Sequence, residues 1–392
     1  MRRILAKITI WRAIFAAIIL SGAAATYLRV MHGLGGSTNL SDKFPWGIWI
    51  AFDVMCGVGL AAGGFTLVAV VHIFNIEKYK PVLRPAVLTA FLGYTLVVVG
   101  LLYDLGRPDR LWHPLVMWNP HSVMFEVAWC VTLYSSVLFL EFLPIVFEKF
   151  GWHKPLAWIH RISVPLMILG VLLSTLHQSS LGTLFLIVPQ KLYPLWYTPI
   201  LPLLFYVSAI AVGLAMTIFE SWHSSRAFGR ALELPLLASM ARVLAVILSV
   251  YLWIRFLDFS HRHVFGLLLQ NRIETWLFAL EIALMLVPAV LLYQARIRMN
   301  PGALYACAVM VVFGFMTNRL NVGTTGLEAG SGTHYLPKWS EIAITLSIVA
   351  AGFAIFRIIA QYFPVFEAHQ TSHDREGAVT VATQEDDARV LT

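Results

Sequence analysis

Charged side chains are scarce in this chain. Lys, Arg, Asp and Glu make up 12% of its 392 residues and hydrophobic residues 59%, whereas soluble domains run near one quarter charged. The two or three soluble domains that the length alone would permit are therefore excluded. Cysteine is scarcer still. Cys56, Cys130 and Cys307 stand singly in three different apolar stretches, and no two have the spacing of an iron–sulfur or zinc site. They read as buried structural thiols, and any electrons the protein handles are expected to come from another subunit. A strand is missing where a nucleotide loop would need one. The glycine-rich run Gly57–Gly64 lies inside an apolar span and reads as close helix packing, not as a dinucleotide fingerprint.

What remains is apolar sequence in long runs. A membrane-crossing helix needs about 20 such residues, and ten spans are predicted near 10–30, 47–74, 86–103, 122–146, 160–179, 200–221, 236–258, 273–295, 302–320 and 341–363. The fold class is thus all-α, a polytopic membrane protein with two four-helix bundles plus peripheral helices. Residues 1–363 form the membrane domain, and 364–392 a polar tail without periodicity, expected to be disordered. The first span is read as a retained anchor and not as a cleaved signal. Lys and Arg are denser in the connections at 2–12, 78–84, 149–161, 226–230 and 296–298 than in the intervening ones. That bias predicts both termini in the cytoplasm of a prokaryote, with the chain in its inner membrane. The formal charge of +7 reads as contact with anionic lipids, not nucleic acid.

Ionisable residues inside lipid are expensive, roughly 2.5–3.5 kcal/mol each for an acid or base on insertion scales, so those present are candidates for function. Asp53, Glu126 and His177 are expected at one outer level on three different helices, where acids and an imidazole can deliver protons. Trp46, Tyr103, Asp104, Arg107, His121 and Gln178 surround that level. A line of Tyr94, Glu141, His72, Arg84 and Glu220 runs from it toward the inner side, with Glu281 and Arg255 on later helices. Glu141, Arg84 and Glu220 could equally be charges that snorkel to the interface. A haem would need two facing histidines. No helix repeats a mid-span pair, so no haem is expected. The outer connections are long and rich in Gly, Pro and Trp, and Gly182–Tyr197 is expected to lie along the interface with its aromatic rings at headgroup level.

The stretches Phe44–Asp53 (FPWGIWIAFD), Tyr103–Pro108 (YDLGRP), Asn119–Glu126 (NPHSVMFE) and Leu176–Gly182 (LHQSSLG) resemble the NrfD-like family of quinone-interacting membrane subunits, also called the polysulfide reductase membrane-subunit family. Glu126 and the His-Gln-Ser-Ser element resemble the branch serving Hyb-type uptake nickel–iron hydrogenases. The resemblance spans about 30–360. It implies a subunit with no haem or iron–sulfur cluster of its own, which passes electrons from a periplasmic four-cluster iron–sulfur protein to menaquinone or a similar quinone. Hydrogenase small and large subunits stand upstream on that reading. Polysulfide, tetrathionate, nitrite or sulfite-pathway complexes are the alternatives within the family. Outside it, a secondary transporter would also place acids at the midplane.

Overall fold

The computed structural model describes residues 10–68, 71, 79–187, 191–227, 229 and 231–365. His72 and the tail beyond 365 lie outside the described residues. Among the described residues, ten helices are long and apolar enough to cross a membrane, as the sequence predicts. They are α1 Ile10–Ser37, α2 Trp49–Val68, α3 Lys80–Asp104, α4 Val123–Phe150, α5 His153–Leu186, α6 Leu201–Ala227, α7 Leu234–Arg262, α8 Ile273–Leu291, α9 Pro301–Ser331 and α10 Trp339–Tyr362. No strand occurs among the described residues.

The starts of several helices are written into the sequence. Ser122 caps α4 by accepting from the Phe125 N–H, and Asn300 caps α9 by accepting from the Ala303 N–H, each satisfying a donor that the helix leaves open. Gly151, at φ 67°, ends α4 in the left-handed conformation, and α5 starts two residues later. Helices α2–α5 form one four-helix ring and α6–α9 a second, while α1 packs against α10 at the periphery. Tyr94, Tyr134, Leu181 and Phe185 belong to the first core. Leu214, Leu244, Val311 and Phe315 belong to the second. We call the face carrying the connections 38–48, 105–122, 187–200, 263–272 and 332–338 the upper face, and the opposite one the lower face.

Two expectations about helix ends are corrected. The polar run Thr175–Thr183 does not terminate α5, which continues to Leu186. Thr175, Ser179 and Thr183 each donate a hydroxyl to the carbonyl four residues back, so the run satisfies itself along the helix. His177 therefore lies nine residues, about 13 Å, before the helix end. Likewise, 321–331 is no loop. Asn321–Thr325 forms a π-helical turn that carries α9 on to Ser331.

A second π-helical turn, Trp49–Val54, opens α2. The two turns pack together at Gly323, where a Cβ would fall 2.7 Å from the Ala51 methyl. The glycine-rich run serves packing as expected. A Cβ on Gly64 would lie 2.5 Å from the Ala90 methyl and 3.1 Å from the Ala86 carbonyl oxygen of α3. Gly64→Leu should therefore lower stability by about 1–3 kcal/mol through overpacking. Gly35→Ala, at a position with nothing within 4 Å, should leave it unchanged. Unfolding midpoints in detergent compare the two.

Candidate functional site

Two polar groups occupy the upper half of the α2–α5 side. The first gathers where α1, α2, α3 and α10 meet. Arg29, buried on α1, donates to the carbonyl oxygens of Tyr103 at 2.9 Å and Leu105 at 2.8 Å, and so holds the last turn of α3. Asp104 lies between those two carbonyls in sequence, and its Oδ1 is buried without a partner among the described residues. Tyr103 shares a hydrogen bond with the Thr26 hydroxyl at 2.9 Å, and its ring lies 6.1 Å from that of Trp49. Asp53, 6% exposed, accepts from the Thr345 hydroxyl at 2.7 Å. Gly100 packs on Asp53, since a Cβ there would fall 2.9 Å from the Asp53 Cβ. Gly100 and Asp104 are i and i+4 on one face of α3, which places Asp104 one turn above Asp53.

A tyrosine bracket closes this group from above. Tyr335 donates to Glu341 Oε1 at 2.6 Å and accepts from the Ile48 N–H at 2.9 Å. Glu341 Oε2 accepts from the Asn39 and Lys338 N–H groups. Burial, reinforced by the hydrogen bond to the Glu341 carboxylate, pushes the Tyr335 phenol up from its ordinary value. It remains a donor, pinning the start of α2 to that of α10.

The second group lies inside the α2–α5 ring. His177 is fully buried, the one buried histidine among the described residues, and neither ring nitrogen has a partner there. Its ring centre stands 5.7 Å from that of Tyr94, which stands 4.5 Å from Tyr134. Ser174 approaches both phenols without completing a hydrogen bond. Gln178 donates to the Val58 carbonyl at 3.2 Å and leaves its own Oε1 free. Below them Glu141 faces Gly170 of α5, with Oε1 buried and unpartnered. It also lines a cleft of about 180 Å³ together with Arg84, Ile145, His160, Ser163 and Met167. Buried polar atoms are normally hydrogen-bonded, so this column of open donors and acceptors is an exception that needs a ligand, water or a mobile proton to explain it.

The α6–α9 ring is organised around one buried carboxylate, with Arg255 Nε and Nη1 and Arg319 Nε left unpartnered among the described residues. Glu281 is fully buried and accepts from Trp196, Asn321, Asn318 and Arg255 at 2.9, 3.0, 2.8 and 3.4 Å. Arg319, 1% exposed, donates to Asn318, Ser208 and the Phe205 carbonyl, with Phe205 and Phe315 stacked against its guanidinium. Trp196 is thus a buried donor, against the expectation that Gly182–Tyr197 holds its rings at the interface.

The expected residues therefore separate. Asp53, Tyr103 and Asp104 share the upper group. His177, Gln178, Tyr94 and Glu141 share the inner one, joined by Tyr134 and Ser174, which the sequence reading missed because a single Tyr or Ser in an apolar helix carries no pattern. Asp53 and His177 do not touch, since Asp53 faces α3 and α10 while His177 faces the ring interior. Glu126 does not share the buried level expected for it with Asp53 and His177. Ser122 is the cap, so Glu126 falls in the first turn of α4, and it is exposed. Arg107 and His121 are exposed in the upper connection, with Arg107 paired to Asp109 at 2.9 Å. Trp46 packs edge-on against Phe185. Arg84 is engaged by Glu148 at 2.9 and 3.0 Å and by the Pro364 carbonyl. Glu220 accepts from Thr89 at 2.7 Å, apart from the inner column. Among the described residues no group of three or more His, Cys, Asp or Glu is placed to hold a metal ion.

Residues 36–328 match the family model described as polysulphide reductase, NrfD. The chain belongs to this NrfD family. A protein of Escherichia coli (strain K12) named "Probable Ni/Fe-hydrogenase 2 b-type cytochrome subunit" is 33% identical over 93% of this chain and 95% of its own length. The menaquinone reductase integral membrane subunit of Nitratidesulfovibrio vulgaris is 28% identical over 92% of this chain and 93% of its own. The Hdr-like menaquinol oxidoreductase integral membrane subunit of Archaeoglobus fulgidus is 27% identical over 60% of this chain and 57% of its own. With ten apolar helices in an NrfD-family chain, the protein is an integral membrane protein.

The Glu281 cluster generates a stability prediction. Glu281→Met leaves Arg255 buried without its carboxylate and should lower stability by about 3–5 kcal/mol. Adding Arg255→Met should restore part of that loss. Chemical unfolding of the single and double variants measures it, and an additive double variant would show that the pair is not coupled.

Proposed function

We propose that this chain is the quinone-reactive membrane subunit of a respiratory oxidoreductase complex, and that the quinone head group reacts at the upper ends of α2 and α3. The observation that carries the reading is the pair of acids there, Asp53 buried and Asp104 half-buried. Asp104 has an unpartnered carboxyl oxygen at a half-buried position, one turn above Asp53, whose carboxyl takes one side-chain hydrogen bond among the described residues. Reducing a quinone adds two electrons to the ring and one proton to each carbonyl oxygen. Carboxyl groups and a neighbouring phenol, Tyr103, are suited to hydrogen-bond those oxygens and to deliver the protons. The names of the relatives, a menaquinone reductase subunit and a nickel–iron hydrogenase subunit, favour menaquinone as acceptor and hydrogen as the ultimate source of electrons.

On this reading the upper face is periplasmic and receives an iron–sulfur protein that stands between this chain and the hydrogenase small and large subunits. The exposed Arg107–Asp109 pair and His121 lie in the connection that such a partner would cover. Protons reach the quinone along the column of Glu141, Tyr134, Tyr94 and His177, whose groups lie in sequence down the α2–α5 ring. Glu126, exposed at the first turn of α4, and Glu220, off the column, are outside this route. His177 relays protons and does not touch the ring. A b-type haem has no role in the proposal, and a reduced-minus-oxidised spectrum with about one haem per chain would contradict that part of it.

Two variant sets test the assignment. Asp53→Asn and Asp104→Asn in the assembled complex should abolish quinone reduction while artificial-dye reduction by the upstream subunits persists. His177→Ala and Glu141→Gln should lower turnover about 10²–10⁴-fold with quinone KM little changed. Wild-type quinone turnover in both Asp variants would remove the upper group from the site.

A further inference from the structure

Most threonines inside these helices bond back along their own backbone. Thr26, Thr66, Thr132, Thr217 and Thr317 each donate the hydroxyl to the carbonyl four residues earlier, the ordinary choice for a helical threonine. Thr89 and Thr345 depart from it, and each gives its hydroxyl to a carboxyl group on another helix. Thr89 meets Glu220, away from the proposed site. Thr345 of α10 meets Asp53 Oδ2 at 2.7 Å, inside it.

The carbonyl that Thr345 would otherwise use is already occupied. The Glu341 carbonyl oxygen accepts from the Trp49 indole N–H at 3.3 Å, in addition to the N–H that the α-helix itself supplies. A carbonyl oxygen has two lone pairs, so none is left for the threonine. This first turn of α10 is held in place, because the Glu341 carboxylate takes the Tyr335 phenol and the Asn39 and Lys338 N–H groups. With Gly100 of α3 packed against Asp53 as well, the Asp53 side chain is held between two helices. A protonated carboxyl has one oxygen that carries the proton and one that accepts. A donor fixed on Oδ2 makes Oδ2 the accepting oxygen and leaves the proton to Oδ1, which takes no hydrogen bond among the described residues.

We propose that Thr345, locked by Trp49, is a positioning residue of the quinone site, which turns the Asp53 carboxyl so that its transferable proton sits on Oδ1. This role rests on Asp53 being the proton donor to the quinone. In the transfer the Oδ1–H bond breaks and an O–H bond forms on the quinone, whose electrons come from the iron–sulfur partner. Thr345 stays a donor to the carboxylate left behind, and the proton column restores Oδ1–H. α10 begins beyond residues 36–328, the stretch that matches the family model, so a peripheral helix completes the chemistry of the first ring.

The intact complex carrying Thr345→Val, which keeps the side chain's shape and removes its donor, gives two readouts. Infrared difference spectra identify the C=O stretch of protonated Asp53 as the band that Asp53→Asn deletes. In Thr345→Val that band should move to higher wavenumber, because its carbonyl loses a hydrogen bond. The kcat of quinone reduction should fall about tenfold, the equivalent of one hydrogen bond, with quinone KM little changed. Thr345→Ser, which keeps the hydroxyl, should bring back most of both. Trp49→Phe frees the Glu341 carbonyl for the threonine and should shift the band the same way, which keeps the test open if Thr345→Val does not assemble. A band unmoved in both variants, or no carboxyl band lost in Asp53→Asn, would overturn the proposal. Lost turnover in Asp53→Asn beside wild-type kcat and band in Thr345→Val would overturn it alone and leave the quinone reading standing. Wild-type turnover in Asp53→Asn would remove the quinone reading and this role with it.

Discussion

In a membrane interior every polar group must find its partner within the protein, because the lipid supplies none. That constraint is met differently in the two rings of this molecule. In the α6–α9 ring it is met around one carboxylate, although Arg255 Nε and Nη1 and Arg319 Nε stay without hydrogen-bond partners among the described residues. Glu281 receives four donors on two oxygens, and both flanking arginines are anchored to oxygens or stacked on aromatic rings. In the α2–α5 ring it is not met. Tyr94, Tyr134, Ser174, His177 and Gln178 are buried with open hydrogen-bonding atoms among the described residues. A satisfied buried network rigidifies, whereas an unsatisfied one persists where function requires it. The proposed reaction is accordingly placed in the first ring, with the Glu281 cluster of the second as its brace.

The two rings meet through backbone geometry. A π-helical turn inserts an extra residue and shifts the face of every side chain that follows. The turn at Trp49–Val54 brings Asp53 against Gly100 of α3, and the turn at Asn321–Thr325 brings Asn321 onto Glu281. Gly323 lets these turns pack directly on each other. Asp53 is thus set on the same junction that fixes the Glu281 cluster of the other ring. Arg29 and Tyr335 complete the frame by holding the ends of α3 and α2 from the peripheral helices.

Much of this was legible in the residues. Helix number followed from apolar runs of fixed length, and the packing role of Gly57–Gly64 from the absence of any preceding strand, while the two-bundle layout was an expectation that no internal repeat supported. The family followed from four short motifs. Burial of Asp53 and His177 was expected because lipid makes an idle ionisable residue expensive. Depth and partnership were less legible. Hydroxyl groups that bond back along their own helix hide its continuation, so α5 looked shorter and His177 shallower than they are. A cap residue sets where a helix begins, and once Ser122 is recognised as that cap Glu126 must be superficial. Trp196 looked interfacial because its neighbourhood is aromatic. Its partner Glu281 lies 85 residues away, which no local pattern reports.

The central claim is that the quinone meets the protein at Asp53 of α2 and Asp104 of α3, beside the open polar atoms of the α2–α5 ring. Photolabelling of the intact complex with an azido-quinone, followed by peptide mapping, tests it most directly. Label on the segments containing Trp49–Asp53 and Gly100–Arg107 is the expected result, suppressed by excess menaquinone. Specific label confined to α6–α9 would contradict it.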